Sequence, residues 1–417
     1  MVRRAPPRPA DLRRPPGHVR SVGSRPRAVR GRKAVLAAVA VLAACGGPVE
    51  PEVRRLLIVP HVAPFVAPSR SQRFRALSLG PAGSVSTHLV SWSVADPSVA
   101  TIDAMGRASA VSVGTTTVTA ELGGVTATAE VEVWLPDPVD EYLSGQSYFG
   151  RNGYVEYIPG ELPVILSAPH GGDLTPHEIP PRTFGESVRD RNTLELTLAV
   201  RDALVDLTGY APYLVLSHLD RSRLDPNREI DEAAEENPFA ERAWTEYHGF
   251  IERARGMLGV RGEGMYFDIH GHGHPIPRVE LGYLLPADRL DLPDINLDQL
   301  SVVQLTSIRE IGRDSPIPFS SLLRGPTSFG GLLEAEGVPA VPSPTYPSPG
   351  SDPYFSGGYS TRRHGSIGDT ELISGIQLEH HFTGLRDTEE NRAAYAEILA
   401  RVIRDFMLEH IGYFEPD

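Results

Sequence analysis

The sequence predicts two folded parts in tandem: an all-β sandwich over residues 53–134, and over 140–417 an α/β domain whose mostly parallel mixed sheet is flanked by helices. Three observations predict this. Residues 53–134 alternate apolar and polar side chains in runs such as TTTVTAEL and VTATAEVEV, broken by Gly and Asp-Pro turns, which is the period-two pattern of half-buried antiparallel strands. From residue 140 onward, short apolar runs alternate with stretches of helical spacing, as in chains that build a parallel sheet under helices. Four polar phrases each follow an apolar run: SAPHGGD (Ser167 to Asp173), LDPNRE (Leu224 to Glu229), FDIHGHGH (Phe267 to His274) and GIQLEHH (Gly375 to His381). Strand ends are where an open α/β sheet places its chemistry.

The first 33 residues are rich in Arg and Pro, and Ala34 to Ala44 is a run of eleven apolar residues. A bilayer span needs about 20, so the run reads as the apolar part of a signal peptide, with residues 1–44 as leader. It ends in Leu42-Ala43-Ala44-Cys45, which resembles the lipobox of bacterial lipoproteins. The resemblance implies cleavage before Cys45 and a lipid on its sulfur, hence an exported chain held at the cell envelope by that anchor alone. Cys45 is the only cysteine, so disulfides and cysteine nucleophiles are excluded. Residues 1–44 carry 11 Arg/Lys and one Asp, leaving 29 basic against 52 acidic residues for the rest, which is no nucleic-acid footprint.

After a short polar tether, Val90 to Val133 resembles group 2 bacterial immunoglobulin-like domains through Trp92, the Asp96–Asp103 run DPSVATID, Gly106 and Gly114. The resemblance implies an immunoglobulin-like sandwich acting as spacer or adhesive module. A Pro/Asp linker (Leu135 to Asp140) leads into the second part. Strands are expected at Leu162–His170, Tyr213–Leu219, Gly264–His270, Val279–Leu285 and Ile373–His380, and helices at 192–207, 232–258 and 389–410. Pro339 to Gly368, rich in Pro, Gly, Ser and Tyr, has no period and reads as a loop over substrate.

His170 ends a strand and precedes two glycines, with Asp173 three residues on, so HGGD offers an imidazole and a carboxylate to one metal ion. In FDIHGHGH three histidines alternate after a buried strand. Asp268 can orient a ligating ring through its second nitrogen, and His270, nearest the strand, is the candidate ligand. Arg221, Arg223 and Arg228 cluster around LDPNRE beside Asn227. A guanidinium next to an amide suits a substrate carboxylate. Glu379 emerges at the end of an apolar strand, where burial raises a carboxyl's pKa and suits it to proton transfer.

The order His-x-x-acid, DxNR, Asp-x-His, then a late strand Glu resembles the N-formylglutamate amidohydrolase family, within the zinc carboxypeptidase and aspartoacylase-like fold, over roughly Pro163 to Phe382. FSGGYSTRRHG (Phe355 to Gly365) adds to the likeness. The resemblance implies one zinc ion at His170 and His270, substrate carboxylate contacts from Asn227 and Arg228, Arg362 or Arg363 as a further anion contact, and Glu379 as general base. It places the third ligand at Asp173 or Asp190, Asp173 ranking first. The implied substrate is a small acyl-amino acid or peptide. This chain departs from the family in having PHGG for PHSG, and in its HGHGH triple. The same residues also admit an inactive surface-binding lipoprotein or a peptidoglycan-trimming carboxypeptidase.

Overall fold

A computed structural model of the chain describes residues 55–65, 71–79, 85–87, 90–133, 141–261, 264–366 and 373–413. The leader, Cys45 and the linker at 135–140 lie outside the described residues. Among those described, no helix is long and apolar enough to cross a membrane.

In the N-terminal part, strands Val62–Phe65, Val125–Val133, Gly114–Leu122 and Ser91–Val94 form a four-stranded sheet, facing two three-stranded sheets. Alternation fixes what faces inward. Val118 pairs with Ala129 across the two long strands, and both are buried with Phe65, Phe74, Ala120 and Val131 in one apolar core.

The second part is a three-layer α/β/α structure. We label its strands β1 (Tyr148–Phe149), β2 (Val155–Ile158), β3 (Val164–Ala168), β4 (Tyr213–Ser217), β5 (Gly264–His272), β6 (Val279–Gly282), β7 (Ala340–Val341) and β8 (Ile373–His381). Their spatial order is β1-β2-β4-β3-β5-β8-β6-β7; the central four, β4, β3, β5 and β8, are parallel, and β2 and β6 run antiparallel to their inner neighbours. The main helices are α1 (Thr193–Thr208), α2 (Pro238–Arg261), α3 (Tyr359–His364) and α4 (Glu389–Ile411). Successive strand residues point to opposite faces. Leu166, Leu214, Met265, Phe267, Ile269 and Leu378 therefore join the core beneath α1 and α4. Ile165, Val215 and Tyr266 join the core beneath α2.

Three expected elements differ. The helix expected over 232–258 is divided, because Glu235 and Glu236 take positive φ values of 46° and 60°, and α2 begins at Pro238. Asn237 caps it by accepting from the amides of Phe239 and Ala240 at 3.0 Å each. The strand expected over Val279–Leu285 stops at Gly282: Leu284 turns at φ 65°, and its amide donates to the Ser356 carbonyl instead of a ladder partner. The expected loop over 339–368 contains β7, which pairs with β6, and helix α3, one face of which is buried. Ser360, Thr361 and His364 of that helix are fully buried, and a polar buried face leaves no apolar period to read.

The sandwich rests on α2. Arg73 and Arg107 approach the two carboxylate oxygens of Glu241 at 3.1 and 3.5 Å, and Gln72 donates to the Pro238 carbonyl at 2.6 Å. Burial pushes the Glu241 carboxyl up against the pull of the two guanidiniums.

Candidate metal centre

Strand register assembles the site. On β5, Tyr266 packs under α2, so Asp268 and His270, two and four residues on, share its face. His270 pairs with Glu379 of β8, and Glu379 pairs on its other side with Glu280 of β6. Near the carboxyl ends of the parallel strands, one row across the sheet thus reads His, Glu, Glu. His170 follows β3 at the same end. The HGG turn brings the chain against its neighbours so tightly that a Cβ at Gly172 would overlap the His218 carbonyl. A Cβ at Gly271 would strike the Arg386 guanidinium.

His170, Asp190 and His270 come together, all buried, with one ligand atom from each lying within 4.8 Å of the others. Asp190 Oδ2 stands 3.4 Å from His170 Nδ1 and 3.4 Å from His270 Nδ1. Zinc–ligand bonds of about 2.0–2.2 Å in a tetrahedron place donor atoms about 3.4 Å apart, so the spacing suits that ion. The outer nitrogens are engaged in the way such sites require: His170 Nε2 meets Asp225 Oδ1 at 2.6 Å, and His270 Nε2 meets Asp268 Oδ2 at 2.9 Å. Each carboxylate is placed to accept the outer N–H, which with a metal bound would fix the tautomer that turns the Nδ1 lone pair inward.

The supporting carboxylates are themselves held. Asp268 accepts from Ser167 Oγ at 2.6 Å, and Asp225 from Arg221 Nε at 3.1 Å and the Asn227 amide at 3.0 Å. Burial alone would raise the carboxyls of Asp190, Asp225 and Asp268. The facing histidines outweigh it, so all three lie below the usual carboxylate range, with arginines also acting on Asp225. Burial likewise works against a charged His270, but Asp268 and Asp190 push that imidazole well above its ordinary value. Glu379 is buried one strand over, accepts from Gln377 Nε2 at 2.8 Å, and is pushed up to about 7 by desolvation.

Of the other expected site residues, Asn227 stands beside the cluster and the rest lie away from it. Asp173, ranked first as third ligand, is 78% exposed and pairs with Arg189 at 3.5 Å, outside the cluster. Asp190 stands in its place because the loop returns: the Asp190 amide donates to the His170 carbonyl at 3.1 Å, which folds residue 190 back onto residue 170. Asn227 is buried, its Oδ1 accepting from the Ser360 amide at 2.8 Å and its Nδ2 lying 3.4 Å from His270 Nε2. Arg228 pairs with Glu232 at 3.1 Å, and Arg223 donates to the Ile179 carbonyl at 2.8 Å. Arg363 leans over Trp244 and donates to the Tyr359 hydroxyl, while Arg362 is exposed on α3.

None of those four arginines lines the cavity that opens beside Asp190. This space of about 450 Å³ is bounded by Arg189, Arg191, Arg221 and Arg386, by His272 and His274, and by Phe355 and Phe382. Arg386 is committed to the carbonyls of His380, Arg191 and His272, and Arg221 to Asp225. Arg191 stands over Phe382, 4.8 Å from the ring centroid. Sequence reasoning missed Asp225 as a histidine partner and Arg189 and Arg191 as the cationic lining. The signal was present in VRDRN, where Asp190 sits between two arginines.

Comparison with known proteins gives a family for the first part only: residues 58–133 match the bacterial Ig-like domain (group 2) family. No curated protein matches the chain. Among solved structures, a gene product from Agrobacterium tumefaciens is 14% identical, covering 61% of this chain and 94% of its own, at a TM-score of 0.35. A metallo-carboxypeptidase from Pseudomonas aeruginosa is also 14% identical, covering 82% of this chain and 80% of its own, at 0.30. The N-acetylmuramyl-L-alanine amidase of Mycobacterium smegmatis is 15% identical, covering 58% and 96%, at 0.25. Likenesses this distant say nothing about activity.

Proposed function

We propose that the chain is an exported, lipid-anchored zinc amidohydrolase of N-formylglutamate amidohydrolase type, cleaving the amide bond of a small acyl-amino acid or peptide that carries an acidic group. The observation behind this is the convergence of His170 Nδ1, His270 Nδ1 and Asp190 Oδ2, each histidine backed by its own carboxylate. When bound there, zinc supplies a Lewis acid that polarises a carbonyl and lowers the pKa of water to about 7. His170, Asp190 and His270 would hold it, and Asp225 and Asp268 would keep the two rings aimed. Glu379, on the strand next to His270 and with one oxygen held by Gln377, would take a proton from the attacking water and return it to the departing nitrogen. The carbon–nitrogen bond breaks, and a carboxylic acid and an amine leave. Arg189 and Arg191, lining the cavity beside Asp190, would hold the substrate's acidic group. The sandwich would act as a spacer between the lipidated Cys45 and this domain.

Amine release from a panel of N-formyl and N-acetyl amino acids tests the reading. Turnover should be lost with a chelator, return with zinc, and favour acidic amino acids over neutral ones of equal size. A zinc-loaded, folded protein that releases no amine from any member, nor from cell-wall peptides, would instead define an inactive binding module.

A further inference from the structure

A second set of metal-binding side chains stands beside the cavity, and the proposed hydrolysis does not use it. His272 and His274 line that cavity, Glu280 lies behind them, and one ligand atom from each lies within 4.8 Å of the others. We propose that His272, His274 and Glu280 bind a second divalent cation of borderline softness, such as zinc, at the cavity wall, independently of the first.

Hydrogen bonds and stacking hold each side chain close to the orientation that role needs. His272 Nε2 donates to the Arg278 carbonyl at 2.8 Å, a contact that fixes its tautomer and leaves the lone pair on Nδ1. The His274 backbone amide donates to that lone pair at 3.1 Å, a bond that a metal would have to displace. The His274 ring is held by stacking on Phe355, centroids 4.6 Å apart at 16°, with Nδ1 at 2.9 Å from Glu280 Oε1. Glu280 is fully buried, and its other oxygen accepts from the Phe355 amide at 2.9 Å, which turns Oε1 toward the two imidazoles. A buried carboxylate is a costly group to keep without a full cationic partner. The nearest guanidinium, Arg278, is 3.9 Å away and is shared with Asp352 at 3.6 Å and the Pro353 carbonyl at 3.2 Å. Two imidazoles and one carboxylate are a donor set that suits zinc, and three protein ligands leave a coordination position for water or substrate. The two sets share no residue. Arg278 makes the second set the weaker, since the first has carboxylates rather than a cation behind its histidines.

The test is zinc titration of the metal-free full-length protein against a chromogenic chelator. Two equivalents are expected in the parent, the second weaker. Glu280→Gln and His274→Phe should lose the second and keep the first; the phenylalanine preserves the stack on Phe355 and cannot ligate, which guards against a result caused by misfolding. His170→Ala should lose the first and keep the second, so the two sites fail separately. A single equivalent in the parent, unchanged in His274→Phe, would overturn the second site while leaving the first intact.

Discussion

The two parts of the chain bury polar side chains in opposite ways. Among the described residues of the sandwich, the buried polar side chains are Gln72, Ser78 and Thr116, none of them ionisable. The α/β domain buries Asp190, Asp225, Asp268, Glu280 and Glu379 together with several histidines, and gathers them at the carboxyl ends of β3, β5 and β8. Both parts have close-packed apolar cores, so packing alone does not call for such charges. Burying an unpaired charge is among the most destabilising things a fold can do, and concentrations of it mark places where chemistry needs shifted proton affinities. The contrast favours the α/β domain as the seat of the proposed chemistry and the sandwich as its spacer.

The sharpest break in that contrast is Glu379→Gln, which should lower kcat by about 10²–10⁴-fold while zinc content, read by elemental analysis, stays unchanged. Next come the carboxylates behind the rings. Asp225→Asn or Asp268→Asn should weaken first-site zinc affinity by about 10–100-fold, read by chelator competition. A smaller effect concerns pH. Because burial raises Glu379 to about 7 in the folded protein, the native state holds a proton there that the unfolded chain releases near its ordinary value of 4.5. Glu379 therefore contributes stability to the metal-free protein that is lost as pH rises from about 4.5 through about 7, against the opposite trend of buried His248, His272, His364 and His380, whose proton affinities burial lowers. Urea denaturation of Glu379→Gln should lack that component, and equal pH slopes would refute it. Least of all should catalysis respond to the sandwich: Phe65→Ala, at a fully buried position, should cost about 3–5 kcal/mol of sandwich stability and leave kcat of the folded protein unchanged. A fall in kcat there would break the division of labour.

Much of this was legible along the chain, and what was not has physical reasons. Apolar runs ending in His170, His270 and Glu379 announced strand ends, and the i, i+2 spacing of Asp268 and His270 announced a ring held by a carboxylate. The proposed third ligand was less readable: Asp173 is near His170 in sequence, but the loop hydrogen bond from residue 190 back to residue 170 brings Asp190 to the histidines. Arginines were hardest, because spacing places a backbone and says little about where a long side chain goes. Arg223 and Arg363 turn to other partners, while Arg189 and Arg191, noticed only as flanks of Asp190, line the cavity. Helix α3 escaped because its buried face is made of Ser360, Thr361 and His364.

The most direct measurement is an anomalous difference map recorded at the zinc edge from crystals grown with zinc. The account predicts a peak at bonding distance, about 2.0–2.2 Å, from His170 Nδ1, His270 Nδ1 and a carboxylate oxygen of Asp190. Density at Asp173 in place of Asp190, or no peak between the two imidazoles, would contradict it.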